Sequence, residues 1–117
     1  MSVNLPVRAI DSDVCVAPQM QPEAMADVAR AGFRSVINNR PDFEGGDASQ
    51  PTSAQIEAAA RAAGLEYRHL PVAGGYQSPE EIAAFAALCK ELPRPLLLFC
   101  RSGARSAKLY QAAQALG

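Results

Sequence analysis

The amino-acid sequence predicts an α/β domain built in three layers, with a mostly parallel central sheet flanked by helices. Three observations carry that prediction. Apolar segments of strand length alternate along the chain with segments whose apolar residues recur at helical spacing. Helical segments separate successive strand candidates, as right-handed crossovers between parallel strands require. Leu96-Leu97-Leu98-Phe99 is an unbroken apolar run, the pattern of a strand covered on both faces. At 117 residues the chain holds one core, and residues 1–117 are read as a single domain.

Taken in order, Arg8-Ala9-Ile10 and Val14-Cys15-Val16-Ala17 read as short strands around an Asp11-Ser12-Asp13 turn. Cys15 then counts as a buried small hydrophobe. Pro18 and Pro22 break the chain, and Pro22 suits the first position of a helix. Met25, Val28 and Ala29 give that helix an apolar stripe, and Gly32 stops it. Residues 33–38 form the next strand. Residues 39–50 make a long polar loop, and loops of that length in compact domains are commonly functional. Thr52 and Gln55 form a capping box for a helix carrying Ile56, Ala59, Ala60 and Ala63, closed by Gly64. Residues 65–72 are another strand and 73–77 another flexible loop. Ser78-Pro79-Glu80-Glu81 is the clearest helix start, with a cap, proline at N1 and glutamate at N3. Ile82, Phe85, Cys89 and Leu92 share one face of that helix, so Cys89 belongs to the core. Pro93-Arg94-Pro95 ends it, the apolar run follows, and residues 107–113 form the closing helix.

Composition excludes several function classes. The chain is 49% hydrophobic and 20% charged, with a formal net charge of -1, an ordinary globular balance. Its eleven Lys and Arg are scattered and no aromatic platform interleaves them, so nucleic acid is not an expected partner. No apolar run approaches the roughly 20 residues of a membrane span. The first six residues lack the basic and apolar regions of a secretion signal, which makes the cytoplasm the expected location. Cys15, Cys89 and Cys100 are an odd set without CxxC spacing, against both a disulfide framework and a zinc site. No metal or organic cofactor is implied.

The chemistry concentrates where the apolar run meets Cys100. In a parallel sheet the loops leaving the carboxyl ends of the strands share one rim, which brings together residues 39–50, 73–77 and 100–105. A cysteine between a strand and a helix N-terminus lies in a concavity of backbone N–H groups. The helix dipole and the flanking Arg101 and Arg105 favour its thiolate, the nucleophilic form. Ser102, Gly103 and Ala104 supply loop amides, and Ser106 either caps the helix or hydrogen-bonds the sulfur. Arg105, unfavourably placed against the dipole, makes sense as a clamp on a bound oxyanion. Arg40 and Asp42 join from the first loop as substrate-binding residues, with a surface ion pair or a loop turn as the plainer reading. His69 reads as a satisfied polar side chain, and whether Cys15 or Cys89 can resolve an oxidised Cys100 stays open. The expected partner is a small anionic substrate, or a sulfur donor and acceptor.

The ordered set Gln19, residues 31–42, Gly64-Leu65-Glu66-Tyr67 with Pro71-Val72, and Cys100-Arg101-Ser102-Gly103-Ala104-Arg105-Ser106 resembles the phosphatase-like domain of the beta-lactamase-hydrolase-like protein family. That resemblance implies a dual-specificity/tyrosine-phosphatase-like fold. In some relatives the domain is joined to a sulfur-oxidising metallohydrolase. The cysteine loop is similar to those of two enzyme classes. Tyrosine phosphatases place arginine six residues after the cysteine, histidine before it and an aspartate acid on another loop; rhodaneses use a loop one residue shorter. Here Arg105 is five residues on, Phe99 replaces the histidine, and Ala73-Gly74-Gly75 stands where relatives have the aspartate. The shorter loop favours a sulfurtransferase working through a Cys100 persulfide. The alternative is phosphate-monoester hydrolysis through a cysteinyl-phosphate, with Asp42, Glu44 or Asp47 as substitute acid. A catalytically silent anion-binding module is the third reading.

Overall fold

A computed structural model describes residues 5–116; the expectation about a secretion signal rests mainly on residues 1–4 and lies outside them. The strands are β1 (Arg8–Asp11), β2 (Val14–Ala17), β3 (Ser35–Asn38), β4 (Glu66–His69) and β5 (Leu96–Phe99). The helices are α1 (Met25–Arg30), α2 (Ser53–Ala62), α3 (Pro79–Glu91) and α4 (Ala104–Ala115). One sheet runs in the order β1-β2-β5-β3-β4. β2, β5, β3 and β4 are parallel, and only β1 is antiparallel, folded back on β2 across the expected turn. This is the predicted α/β layering.

β5 is central because its side chains demand burial on both sides. Leu96 and Leu98 join the core under α3 and α4, with Val14, Val16, Ile37, Phe85 and Leu109. Leu97 and Phe99 face the opposite way, into the core under α1 and α2 with Met25, Val28, Val36, Ile56 and Tyr67. All four β5 side chains are fully buried, each worth about 1.5–3 kcal/mol relative to exposure.

Both predicted capping boxes form. Thr52 with Gln55 starts α2, and Ser78 with Glu81 starts α3 behind Pro79 at N1. Three boundaries differ from expectation. A 3-10 turn at Pro22–Ala24 precedes α1, which is only six residues long. β4 ends at His69, although Leu70 and Val72 N–H still donate to the carbonyls of Asn38 and Asn39 beyond it. α4 begins at Ala104, three residues early, so Arg105 and Ser106 lie in its first turn. Among the described residues no helix is long and apolar enough to cross a membrane.

Candidate active site

The register aligns Ala17, Phe99, Asn38 and His69 in one row at the carboxyl ends of the parallel strands. Four chain segments leave from that row and are tied to one another by backbone bonds. Gln19 N–H donates to Arg101 C=O at 3.2 Å, Asn39 N–H to Phe99 C=O at 2.8 Å, and Val72 N–H to Asn39 C=O at 3.0 Å. The expected rim exists, and Gln19 belongs to it as well.

Cys100 follows β5 directly and is buried. Gly103 N–H donates to its Sγ at 3.0 Å. The loop closes because Gly103 adopts φ 94°, a left-handed conformation that suits glycine. It also passes so near β2 that a Cβ there would lie 3.4 Å from Ala17 O. Burial alone pushes the Cys100 thiol up. The amides of Ser106, Ser102 and Gly103, with the Ser106 hydroxyl, outweigh it and hold the thiol below its ordinary value. The expected help from flanking arginines is corrected here: Arg101 is exposed, and the Arg105 guanidinium is bonded elsewhere. The other thiols contrast with it. Burial raises Cys15, and pushes Cys89 up to about 11. Cys15 is half-buried and pairs with Leu97, three residues along the strand from Cys100, or about 10 Å at strand spacing.

Arg105 is held by two rim segments, through Val72 and Glu44. Nη1 donates to Val72 O at 3.0 Å and lies 3.1 Å from Glu44 Oε2. Nη2 donates to Glu44 Oε1 at 3.1 Å. Its Nε is a buried donor without a partner among the described residues. The Ala73-Gly74-Gly75 loop makes room for this side chain, since a Cβ on Gly74 would sit 3.3 Å from Arg105 Nη2.

Arg40 is no surface residue: it is 2% exposed. Its Nε donates to Glu44 Oε1 at 3.1 Å, Nη1 to Gln19 Oε1 at 3.0 Å, and Nη2 to Asp47 Oδ2 at 3.4 Å. Glu44 therefore bridges two guanidiniums. Burial pushes its carboxyl up, but hydrogen bonds and charge from Arg105 and then Arg40 bring it below its usual value. Ser49 above all, with Arg40, holds Asp47 low too. Asp42 is a correction: it accepts from Ser53 N–H at 2.8 Å at the start of α2, and no Arg40–Asp42 ion pair forms among the described residues. His69 is a satisfied side chain, its Nε2 2.8 Å from Arg40 O.

Ser106 does not cap α4; Gly103 holds that position. The Ser106 hydroxyl donates instead to Asn39 Oδ1 at 2.9 Å, while Asn39 Nδ2 donates to Leu70 O at 3.0 Å. Asn39 and Ser106 are both fully buried. The sequence reading missed Asn39 as an individual residue; its signal was a polar pair, Asn38-Asn39, closing an apolar strand. Among the described residues no cluster of three or more metal-ligating side chains occurs. An open groove of about 590 Å³, lined by Gln21, Ser49, Pro51, Gln55 and Ala58 among others, lies beside α2 and shares no residue with the cysteine loop.

Residues 6–117 match the profile of the Beta-lactamase hydrolase-like protein, phosphatase-like domain. A Beta-lactamase hydrolase-like protein of Xylella fastidiosa is 36% identical over 101 residues, covering 86% of this chain and 23% of that protein. The chain thus spans about a quarter of the length of such relatives. A candidate phosphatase from Neisseria meningitidis superposes with a TM-score of 0.83 at 29% identity, over 92% of this chain and 75% of that one. TpbA of P. aeruginosa, solved in complex with pTyr, shares the fold at a TM-score of 0.58 and 14% identity, over 88% of this chain and 59% of that one.

Proposed function

This chain belongs to the family of the Beta-lactamase hydrolase-like protein phosphatase-like domain, and we propose that it is a cysteine-dependent phosphatase of phosphate monoesters. The observation that carries the reading is Cys100 Sγ, held by the amides of its own loop between a buried strand and a helix N-terminus. Its thiolate attacks phosphorus, the S–P bond forms, and the P–O bond to the leaving group breaks. The loop amides and Arg105 face the charge that spreads over the phosphoryl oxygens. Water then cleaves the cysteinyl-phosphate and returns phosphate and thiolate. Arg101, Ser102, Gly103 and Ala104 form the cradle, Ser106 supports the sulfur, and Arg40 lies behind Glu44, the carboxylate it shares with Arg105.

Proton supply sets the substrate class. Glu44 and Asp47 are held ionised by their neighbours, and Asp42 is engaged by Ser53. None is a ready acid for a departing alkoxide, a role typically worth about 10²–10⁴-fold. The favoured substrates are monoesters whose leaving groups depart as stable anions, aryl phosphates first among them.

The five-residue spacing from Cys100 to Arg105 favours sulfur transfer as the second reading, since a single sulfane sulfur fits a tighter ring. Family membership and the phosphatase neighbours support hydrolysis above it. Incubation with p-nitrophenyl phosphate, and separately with thiosulfate, followed by mass measurement on Cys100, decides between them. Phosphate release abolished by Cys100→Ser is the expected result. A mass gain of one sulfur without phosphate release overturns it, and neither signal leaves an anion-binding module.

A further inference from the structure

We propose that Glu44 is a resident competitor for the anion seat: its carboxylate, also tied to Arg40, occupies guanidinium donors of Arg105 that a substrate oxyanion takes over on binding. The proposal rests on the reading of Arg105 as the anion clamp.

The arrangement of atoms argues for it. Both Glu44 oxygens engage Arg105, Oε1 from Nη2 and Oε2 from Nη1, each at 3.1 Å. Two oxygens on one guanidinium edge is the geometry a phosphate adopts on arginine. The remaining donor, Nε, is buried without a partner among the described residues, although the Arg105 side chain is only 10% exposed. Buried donors are ordinarily satisfied, and a bound oxygen satisfies this one. The fold thus holds a clamp with one donor vacant and its terminal nitrogens lent to a side chain of the same charge sign as the substrate.

Glu44 is also the member of the trio able to leave. Its side chain is 25% exposed, against 3% for Arg40 and 10% for Arg105. When it withdraws, Arg40 keeps Gln19 and Asp47, whereas Arg105 keeps only Val72 O. The exchange therefore frees donors on Arg105 in particular. Backbone strain points the same way. Phe43, next to Glu44, is held at φ 59°, a conformation that a bulky residue keeps only when its surroundings enforce it. Gly45 and Gly46 follow, also with positive φ, and give that segment room to rearrange. The competing view makes Glu44 a prop that aims Arg105. The two views predict opposite signs when the charge is removed.

The test is isothermal titration of the full chain and of Glu44→Gln with inorganic phosphate and with sulfate. We expect the variant to bind both anions more tightly, by about three- to thirtyfold. Unchanged or weaker binding by a variant with wild-type thermal midpoint overturns the proposal, as does absence of binding by both proteins. Should Glu44→Gln fail to fold, Glu44→Asp keeps the charge with a shorter reach. Its affinity should lie above the wild type's, and an affinity at or below it overturns the proposal. No turnover enters these readouts, so failure of the hydrolase reading appears separately, as absent p-nitrophenyl phosphate cleavage.

Discussion

Ser106 carries one hydroxyl proton and has two acceptors to serve, Asn39 Oδ1 and the Cys100 sulfur. When the sulfur ionises, it becomes the stronger acceptor, and the hydroxyl contributes to holding the thiol low. Ser106→Ala removes that donor from the charged form, so the Cys100 pKa should rise. The pH profile of alkylation by iodoacetamide, read on the Cys100 peptide by mass spectrometry, checks this; an unshifted profile assigns the effect to the amides alone. Cys100 and Arg105 were legible in the sequence because a strand, a glycine loop and a helix start are all local signals. Asn39 was not, and Glu44, read from the sequence only as a candidate acid, was not legible as the partner of Arg105. Their partners lie 67 and 61 residues away, and nothing local announces a pairing over that distance. The burial of Arg40 was not legible for a related reason. An arginine in a polar loop is ordinarily exposed, and only the folded chain supplies Gln19, Glu44 and Asp47 to bury it.

At the scale of elements, the junction of β5 with α4 is the demanding one. Gly103 must adopt a left-handed φ and pass close to Ala17 O. Gly103→Ala should therefore cost about 1–2 kcal/mol in strain, seen as a lower urea midpoint. It should also raise the Cys100 pKa, because the donor at 3.0 Å from Sγ is the residue displaced. A stable variant with an unshifted thiol would remove Gly103 from the account of the site. Helix starts were the most readable elements, since a capping box is complete within four residues. The start of α4 was less so. It has no side-chain cap, and its first turn is taken up with the sulfur and Asn39.

Across the whole molecule, the acidic groups of the rim and of the β1 turn couple folding to pH. Glu44 is held below its ordinary 4.5, and Asp11 and Asp47 below 3.8. A carboxyl depressed on folding stabilises the native state fully above its unfolded value, and that contribution drains away as pH falls through the folded one. The urea midpoint should be flat above about pH 5 and drop towards pH 3, with Glu44→Gln showing a shallower decline. Equal slopes would exclude Glu44 from the acid response. The sheet itself was largely legible, because its central strand is apolar without interruption while its edges carry Arg8, Asp11, Glu66 and Arg68. That placement has a kinetic consequence. The amides of Leu96–Phe99 bond into strands on both sides, so they belong to the last segment to exchange with deuterium. Fraying of β1 or β4 can come and go without disturbing the anchor of the nucleophile, and loss of reactive thiol should track global opening of the chain rather than motion at its margins.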